Sequence, residues 1–185
     1  NKKSLLQLFC EKTKAASDAC GEALSLAIMA STANQSEILE SLESHHFFGL
    51  DREQVDLFSQ ENLPFIHLEG EYDTHQGPDG NGHALKLFWE KGVGKKWKKK
   101  GICCVNVIPI DNCLADPFDA RLANFHTQHH YDISIKAIKR ENPLEKIGVL
   151  SLRNGKICVQ EYSELPPSAT DCSSSFLLGS IGLFC

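Results

Sequence analysis

The sequence predicts an α/β protein in which helix–strand repeats are followed by a β-rich C-terminal part. Strand-like runs at 24–30 and 55–60 are separated by a segment whose apolar residues have helical spacing. From residue 131 onwards apolar and polar residues alternate, as in half-exposed strands, and Asn154-Gly155 is a typical hairpin turn. With 185 residues, of which 42% are hydrophobic, we expect one domain spanning residues 1–185.

The N-terminal part is predicted to alternate helices and strands. Ser4 stands where a helix cap is expected, with Gln7 three residues later, so a helix is predicted over 4–20. The run 24–30 is almost entirely apolar, which is typical of a strand covered on both faces. The next predicted elements are a helix over 36–45, a helical turn capped by Asp51, a strand over 55–60 and an extended segment over 63–66.

A glycine-rich loop, Gly77-Pro78-Asp79-Gly80-Asn81-Gly82-His83, follows these elements. Its glycines and proline cannot continue a helix or a strand, so the backbone turns sharply and can come close to a ligand. A helix is predicted directly after it, over about 81–91. The last amides of the loop then lie near a helix N-terminus, which favours anionic or sugar-hydroxyl ligands. An ordinary tight turn is the alternative interpretation.

Asp111 is a second candidate for chemistry because it follows the most strand-like run of the chain, residues 102–110. In open, mostly parallel α/β sheets, ligands bind beyond the carboxyl ends of the strands. Turn formation by Asp111-Asn112 is the alternative. Asp116-Pro117 then predicts the start of a helix that ends with His126, His129 and His130. The histidine spacing would suit a metal, but favourable interaction with the helix dipole is the preferred interpretation.

The C-terminal part is predicted to be β-rich, with a strand over 131–139 and a hairpin formed by 148–153 and 156–162. The last ten residues, 176–185, form an apolar segment. An apolar terminus normally packs beneath further chain. We therefore expect the sequence to be an incomplete, central piece of a larger catalytic domain.

Charge and cysteine content limit the possible partners and compartment. Lys and Arg number 19 against 24 Asp and Glu, so the net charge of −5 predicts no general attraction to nucleic acid. The lysine run 95–100 is predicted to be a solvated loop or helix end, with phosphate or nucleic-acid binding as the alternative. The eight cysteines are predicted to be buried free thiols, which favours the cytoplasm. No apolar run approaches the roughly 20 residues of a membrane helix.

Short motifs in a fixed order resemble those of the UDP-sugar pyrophosphorylase family, most closely its UDP-N-acetylhexosamine branch. The Pro-Asp-Gly-Asn-Gly form of the glycine-rich loop discriminates between branches, since the glucose branch carries a Gly-His-Gly type of loop there. The motifs that carry the resemblance are residues 3–7, 28–31, 47–50, 58–60 with 63–64, 78–82, 110–112 with 115–117, 147–149 and 161–164.

The resemblance implies a GT-A-like Rossmann domain, a mixed sheet flanked by helices, that condenses UTP with a sugar 1-phosphate in the presence of Mg²⁺. N-acetylglucosamine 1-phosphate is the leading sugar substrate, and oligomeric state is left open. The roles implied by motif position are uracil contact for Gln60, a backbone contact to the base for Gly80, sugar contacts for Asn81, Gly148 and Glu161, and catalytic Mg²⁺ binding for Asp111. The glycine-rich loop and Asp111 are then expected to open onto one cleft at one edge of the sheet.

Two departures from the family pattern bear on activity. The family's glycine-rich triphosphate loop is absent, and Leu177 stands where the family has an asparagine that contacts the sugar. We therefore expect the chain alone to be inactive. Two alternatives remain: a glucose 1-phosphate or broad-range uridylyltransferase, and a homologue that binds a nucleotide or a partner without turnover.

Overall fold

The computed structural model describes residues 2–67, 69–142, 144–165 and 177–185. It divides between Cys103 and Cys104 into two compact units, and each is described here by itself. Helices and sheets are both present, which confirms the predicted α/β class. A single domain spanning 1–185 and the GT-A-like arrangement remain predictions.

A parallel strand pair forms the centre of the first unit. Helix α1 (Leu5–Cys20) is capped by the Ser4 hydroxyl, which accepts a hydrogen bond from the Gln7 amide at 3.1 Å, as predicted. Strand β1 (Leu26–Ser31) pairs in parallel with β2 (Val55–Gln60), and helix α2 (Gln35–Ser44) lies between them in the chain. Parallel neighbours need such a crossover connection.

The core of this unit packs both helices against the parallel pair. Its fully buried side chains come from α1, α2, the turn after α2 and the start of β2: Cys10, Leu42, Leu50 and Val55. The predicted cap at Asp51 is confirmed, since Asp51 and Gln54 form a reciprocal capping box around a short 3₁₀ helix, Arg52–Gln54. This box starts β2 at a defined residue.

An antiparallel pair follows β2 and leads into the glycine-rich loop. Strand β3 (Asn62–Ile66) pairs with β4 (Tyr72–Pro78), and β4 was missed in the sequence because it contains few apolar residues. A 3₁₀ turn, Asn81–His83, and helix α3 (Ala84–Glu90) come next, as predicted. Gly92, with φ +89°, separates α3 from the helix that follows.

The lysine run lies on helix α4 (Val93–Lys99), which resumes directly after Gly92. Its lysines are exposed, whereas Trp97 between them is only 6% exposed. The Trp97 indole donates to Asp56 Oδ2 at 2.8 Å, and the Lys96 ammonium donates to Asp56 Oδ1 at 2.7 Å. The run therefore includes residues that dock α4 onto β2.

The strand predicted over 102–110 is wrong. The described backbone there forms a single β-bridge, between Val107 and Phe184. Apolar content alone does not make a strand, because a ladder needs a neighbour over several residues. Pro109 also lacks the N–H that a ladder uses.

Helix α5 (Ala120–His129) begins three residues later than the Asp116-Pro117 pair predicted. Asp119 is its cap, and the carboxylate accepts from the amides of Arg121 at 3.0 Å and Leu122 at 3.2 Å. Asp116 instead accepts from the Phe118 amide and forms the turn before the helix. The hydrogen bond from Lys136 and those from the helix amides lower the pKa of Asp119.

A four-stranded antiparallel sheet completes the second unit. Its strands are β5 (Ile135–Lys139), β6 (Gly148–Arg153), β7 (Lys156–Gln160) and β8 (Leu178–Phe184), in the spatial order β5-β8-β6-β7. The predicted hairpin is confirmed, with positive φ at Asn154 and Gly155 as a primed turn requires. Most of the apolar C-terminal segment is β8; its first residue, 176, lies outside the described residues.

The cysteines differ from the prediction in exposure. Seven are described and none of them forms a disulfide, but of these only Cys10 and Cys185 are buried, while Cys20, Cys103 and Cys113 are exposed. Cys172 lies outside the described residues. No helix in the described parts of the chain has the length and apolar character needed to cross a bilayer.

Candidate functional site

Two predicted nucleotide contacts, Gln60 and Gly80, touch each other in the first unit. Gln60 is the last residue of β2, and its side-chain Oε1 accepts a hydrogen bond from the Gly80 amide at 2.6 Å. The amide donor group of Gln60 is left free for another partner by this bond. The structure therefore joins the end of a parallel strand to the glycine-rich loop.

The glycine-rich loop has a backbone that requires glycine. Gly80 has φ +87° and ψ −171°, a region open essentially to glycine alone. The loop is held at its start by a hydrogen bond from the Asp79 amide to the Glu61 carbonyl at 3.0 Å, and the Asp79 carboxylate binds His83. At Gly77 a Cβ atom would lie 2.7 Å from the Phe65 ring, so a side chain there would displace this exposed ring.

Asn81, the predicted sugar contact, directly follows Gly80 and begins the 3₁₀ turn. Asn81 is exposed, so its side-chain amide can reach a ligand. Gln60, Gly80 and Asn81 thus form one group at the end of β2, which we call the loop site. The sequence motifs predicted these residues, but not the hydrogen bond that joins them.

The predicted sugar-binding pair, Gly148 and Glu161, is also brought together, in the second unit. Gly148 begins β6, and a Cβ atom there would lie 2.7 Å from Val159 Cγ1 and 3.6 Å from Glu161 Oε1. Glu161 is exposed at the end of β7 and caps a short 3₁₀ helix with its backbone. Gly148 and the carboxylate of Glu161 are therefore close neighbours, and Val159 leaves no room for a side chain at Gly148.

Asp111 lies in an exposed turn that packs beside strand β8. The neighbouring Asn112 donates from Nδ2 to the Ile181 carbonyl at 3.4 Å, and a Cβ atom at Gly182 would lie 2.6 Å from Pro109 Cγ. Gly148, in the neighbouring strand β6, pairs with Ser180 of β8. The Asp111 turn and the Gly148–Glu161 pair therefore border one short stretch of β8.

The carboxylate of Asp111 is suited to bind a Mg²⁺ ion whose other ligands come from substrate phosphates and water. No ion pair or side-chain hydrogen bond from the described residues engages it, and it is exposed. It is not part of a preformed cage of three ligating side chains among those residues. Mg²⁺ in phosphoryl-transfer sites is commonly held by one or two carboxylates, substrate phosphates and water, so a single free carboxylate suits it.

The three histidines at the end of α5 do not converge on a metal. His129 stacks on Tyr131 with ring centroids 5.2 Å apart, and His130 is the exposed left-handed residue that ends the helix. His126 instead hydrogen-bonds the Ser134 hydroxyl and lies beside two cysteines, Cys104 and Cys185. Burial, followed by the hydrogen bond with Cys104, raises the pKa of Cys185 to about 12. No sequence motif predicts this grouping, because its members are far apart in the chain.

Comparison with known proteins places these residues in a family. The pattern of the UTP–glucose-1-phosphate uridylyltransferase family matches residues 1–177. The chain belongs to this uridylyltransferase family. The family resemblance predicted from the motifs is thereby confirmed.

Relatives within the uridylyltransferase family include UDP-N-acetylglucosamine pyrophosphorylase of Saccharomyces cerevisiae. It is 29% identical over 175 residues, which are 89% of this chain and 37% of the yeast protein. The crystal structure of the Trypanosoma brucei UDP-N-acetylglucosamine pyrophosphorylase matches with a TM-score of 0.81 and 25% identity, over 100% of this chain and 41% of that one. A crystal structure described as a UDP-N-acetylglucosamine pyrophosphorylase of Entamoeba histolytica matches with a TM-score of 0.85 and 25% identity, over 98% of this chain and 50% of that one.

The chain thus spans half or less of these family members. The fold prediction is confirmed at the level of a mixed α/β chain matching these structures. Asn81 belongs to the first unit and Asp111 to the second. Their opening onto a common cleft remains a prediction, as do the individual roles of the site residues.

Leu177 is the residue predicted to replace an asparagine of the family motif. It is half-buried, and its backbone carbonyl accepts a hydrogen bond from the Arg140 amide at 2.8 Å beyond the end of β5. The side chain is apolar and forms no hydrogen bond to a sugar. The backbone of Leu177 is thus anchored, and its side chain offers no polar group.

Proposed function

We propose that this chain provides substrate-binding elements of a UTP-dependent uridylyltransferase that makes UDP-N-acetylglucosamine and pyrophosphate from UTP and N-acetylglucosamine 1-phosphate. The observation that carries the proposal is the 2.6 Å hydrogen bond from the Gly80 amide to Gln60, which assembles the loop site at the end of a parallel strand. The names of the yeast and trypanosome relatives support this choice of nucleotide sugar.

The loop site suits a uracil base. With its oxygen bound by Gly80, Gln60 presents its amide N–H groups, which donate to a uracil carbonyl. The backbone of Gly80 can approach the base closely because no Cβ is present. Asn81, one residue on, supplies an amide for a sugar hydroxyl. The nucleotide is thereby oriented before reaction.

Gly148 and Glu161 suit the sugar. The Glu161 carboxylate accepts hydrogen bonds from sugar hydroxyls, and Gly148 has no side chain that could come between this carboxylate and the sugar. Two hydroxyls on one carboxylate fix the orientation of the sugar ring. The anomeric C–O bond that carries the phosphate then points in a defined direction.

The reaction is an in-line displacement at the α-phosphorus of UTP. A phosphate oxygen of the sugar phosphate forms the new bond to this phosphorus, the bond to the β-phosphate oxygen breaks, and pyrophosphate leaves. No covalent enzyme intermediate is needed. Asp111 would hold Mg²⁺, which disperses the negative charge that develops on the phosphate oxygens. The contribution of the chain is to hold both substrates in line.

A second candidate substrate is glucose 1-phosphate. Leu177 favours it, because an apolar side chain offers no hydrogen bond to an acetamido group. A broad sugar range follows from the same feature. The sugar panel described below decides among these substrates.

The partners are UTP and a sugar 1-phosphate, without nucleic acid and without a membrane. Trp97 and Lys96 both donate hydrogen bonds to Asp56. These contacts support a structural role, and not nucleic-acid binding, for part of the lysine run. We propose a cytoplasmic location, where the seven described cysteines, none of them in a disulfide, would stay reduced.

The test is pyrophosphate release by the full-length protein with UTP and Mg²⁺. N-acetylglucosamine 1-phosphate, N-acetylgalactosamine 1-phosphate and glucose 1-phosphate are compared by kcat/KM. Asp111→Asn is expected to lower kcat by at least about a hundredfold, because removing one stabiliser of developing charge has effects of this size. Asp132→Asn, also an exposed acid of the second unit, is the matched control and is expected to keep the wild-type rate.

If the protein binds UTP but releases no pyrophosphate with any sugar phosphate, the enzyme proposal is wrong. The protein is then a non-catalytic homologue that binds a nucleotide. Full activity of Asp111→Asn would refute the magnesium role. A kcat/KM for glucose 1-phosphate above that for both acetamido sugar phosphates would show that glucose 1-phosphate, and not N-acetylglucosamine 1-phosphate, is the preferred substrate.

A further inference from the structure

Three side chains capable of binding a soft metal converge in the second unit. They come from separate segments: Cys104 after the unit boundary, His126 on α5 and Cys185 after β8. Their two sulfur atoms and one imidazole nitrogen all lie within 4.8 Å of one another. The two sulfurs are 2.7 Å apart. Nothing in the proposed transferase reaction uses these residues.

Ser134 holds two members of this cluster in position. It is only 4% exposed, and its backbone forms a reciprocal pair of hydrogen bonds with Cys185, at 2.7 and 2.9 Å. Its hydroxyl lies 3.0 Å from His126 Nδ1. This contact engages one ring nitrogen and leaves the other for a ligand. Metal-binding histidines are commonly oriented by such a hydrogen bond to the nitrogen that does not bind the metal.

The cluster is partly shielded from water. Cys185 is buried, and Cys104 and His126 are half-buried. Two thiolates and an imidazole are the donor set typical of Zn²⁺, whereas Mg²⁺ prefers oxygen ligands. A disulfide between the two cysteines would explain the sulfur contact but would give the oriented imidazole no function.

We propose that Cys104, His126 and Cys185 form a zinc-binding site with a fourth position open to water or another ligand. Zn–S bonds of roughly 2.3 Å in a tetrahedron put two sulfurs nearly 4 Å apart, so the sulfurs separate by about 1 Å on binding. Both thiols lose their protons when zinc binds, and no oxidant or reductant takes part. The ion links the start of the second unit to α5 and to the end of β8.

The experiment measures metal content and ligand type in the full-length protein, purified with a non-thiol reductant. One zinc ion per chain at this site is expected by elemental analysis after dialysis. Replacement by Co²⁺ is expected to give the near-ultraviolet charge-transfer absorption of thiolate-bound cobalt. Because both readouts are independent of pyrophosphate release, failure of the transferase proposal would not affect them.

Matched variants assign the site to these residues. Cys104→Ser, Cys185→Ser and His126→Asn are each expected to lower the zinc affinity at least tenfold and to weaken the cobalt band. The controls are Cys103→Ser, an exposed neighbour of Cys104, and His129→Asn, on the same helix as His126; both are expected to bind as wild type does. His126→Asn keeps both cysteines, so it reports on binding even if a cysteine variant fails to fold.

Three outcomes would overturn the site. One is zinc binding that is unchanged in His126→Asn. Another is absence of bound zinc from reduced protein incubated with zinc. The third is a disulfide linking Cys104 to Cys185 in protein purified under reduction, detected by peptide mass spectrometry, since a disulfide removes both thiolate ligands.

Discussion

The side-chain oxygen of Gln60 lies 2.6 Å from the backbone nitrogen of Gly80 and accepts its hydrogen bond. The two residues are at the end of β2 and in the glycine-rich loop, 20 positions apart in the chain. The bond fixes the loop relative to the parallel strand pair and selects which end of the Gln60 amide is offered to a ligand. The nucleotide binding proposed for this unit would therefore depend on a contact between two residues to which the motifs assign separate roles.

Replacement of Gln60 by Ala is expected to weaken UTP binding. The Gly80 amide loses its acceptor and the base loses a donor, and each such loss costs about 1–3 kcal/mol. We expect the KM for UTP to rise roughly 10- to 100-fold, with a smaller change for the sugar phosphate. Initial-rate kinetics of the full-length protein measure both constants. The control is Gln76→Ala, at an exposed position of β4; equal effects at both positions would contradict the role of Gln60.

Gly80→Ala is expected to disturb the loop through its backbone. At φ +87° and ψ −171° a Cβ is strained by about 1–3 kcal/mol, so the variant either shifts the loop or is destabilised. Gly82→Ala is the matched control, because Gly82 lacks a positive φ and a Cβ there meets no atom within 4 Å. UTP affinity measured by calorimetry should fall about tenfold or more for the first variant alone. Similar affinities in both variants would show that the Gly80 conformation is not needed.

Glu161→Ala is expected to affect the sugar substrate selectively. Loss of a charged acceptor of hydroxyl hydrogen bonds costs about 1.5–3 kcal/mol, so the KM for the sugar phosphate should rise roughly 10- to 100-fold. The KM for UTP should change far less. Glu164→Ala, an exposed acid in the adjacent 3₁₀ helix, is the control. An equal rise in both KM values for Glu161→Ala would argue against a sugar contact.

Gly148→Ala tests whether the absence of a side chain beside Glu161 is needed for sugar binding. The added Cβ would lie 2.7 Å from Val159 Cγ1, so the start of β6 or the Val159 side chain must shift by a few tenths of an ångström or more. We expect weaker sugar-phosphate binding with UTP affinity unchanged. The double variant Gly148→Ala with Val159→Ala removes the methyl group in the way and is expected to restore part of the binding. No recovery, or no initial loss, would contradict the assignment.

The Asp119 cap is expected to make α5 sensitive to acid. Its pKa is lowered in the folded protein by Lys136 and by the helix amides, so its stabilising contribution is present above the unfolded pKa of about 3.9. That contribution is lost as pH falls through the folded pKa, when the carboxylate takes up a proton. Hydrogen exchange of the α5 amides, measured between neutral pH and acid pH, should show protection falling over this range.

Two substitutions separate the cap from the ion pair. Asp119→Asn keeps a capping oxygen but has no charge, so helix protection should become nearly independent of pH in the acid range. Asp119→Ala removes the cap and should cost about 1 kcal/mol at neutral pH. An unaltered acid profile in Asp119→Asn would show that another group titrates.

Local features were predictable because they depend on neighbours in the chain. The Ser4 cap, the Asp51–Gln54 capping box and the Asn154-Gly155 turn follow from contacts within a few residues. The folded chain also brings motif residues of the candidate site into contact, in that Gln60 touches Gly80 and Gly148 adjoins Glu161, contacts that the motifs did not predict. Their chemical roles remain predictions.

Features that depend on distant partners were decided by the tertiary structure. The run 102–110 has the composition of a strand, yet it forms one bridge because, in the part of the chain that the structure describes, no strand lies alongside it over several residues. Polar β4 became a strand because β3 supplied a ladder. Cys104, His126 and Cys185 meet only because the folded second unit brings β8 and α5 together through Ser134. Sequence by itself determined caps, turns and motif identity, since these are encoded within a few residues; which strands pair and which distant side chains converge depends on the packing of the whole unit.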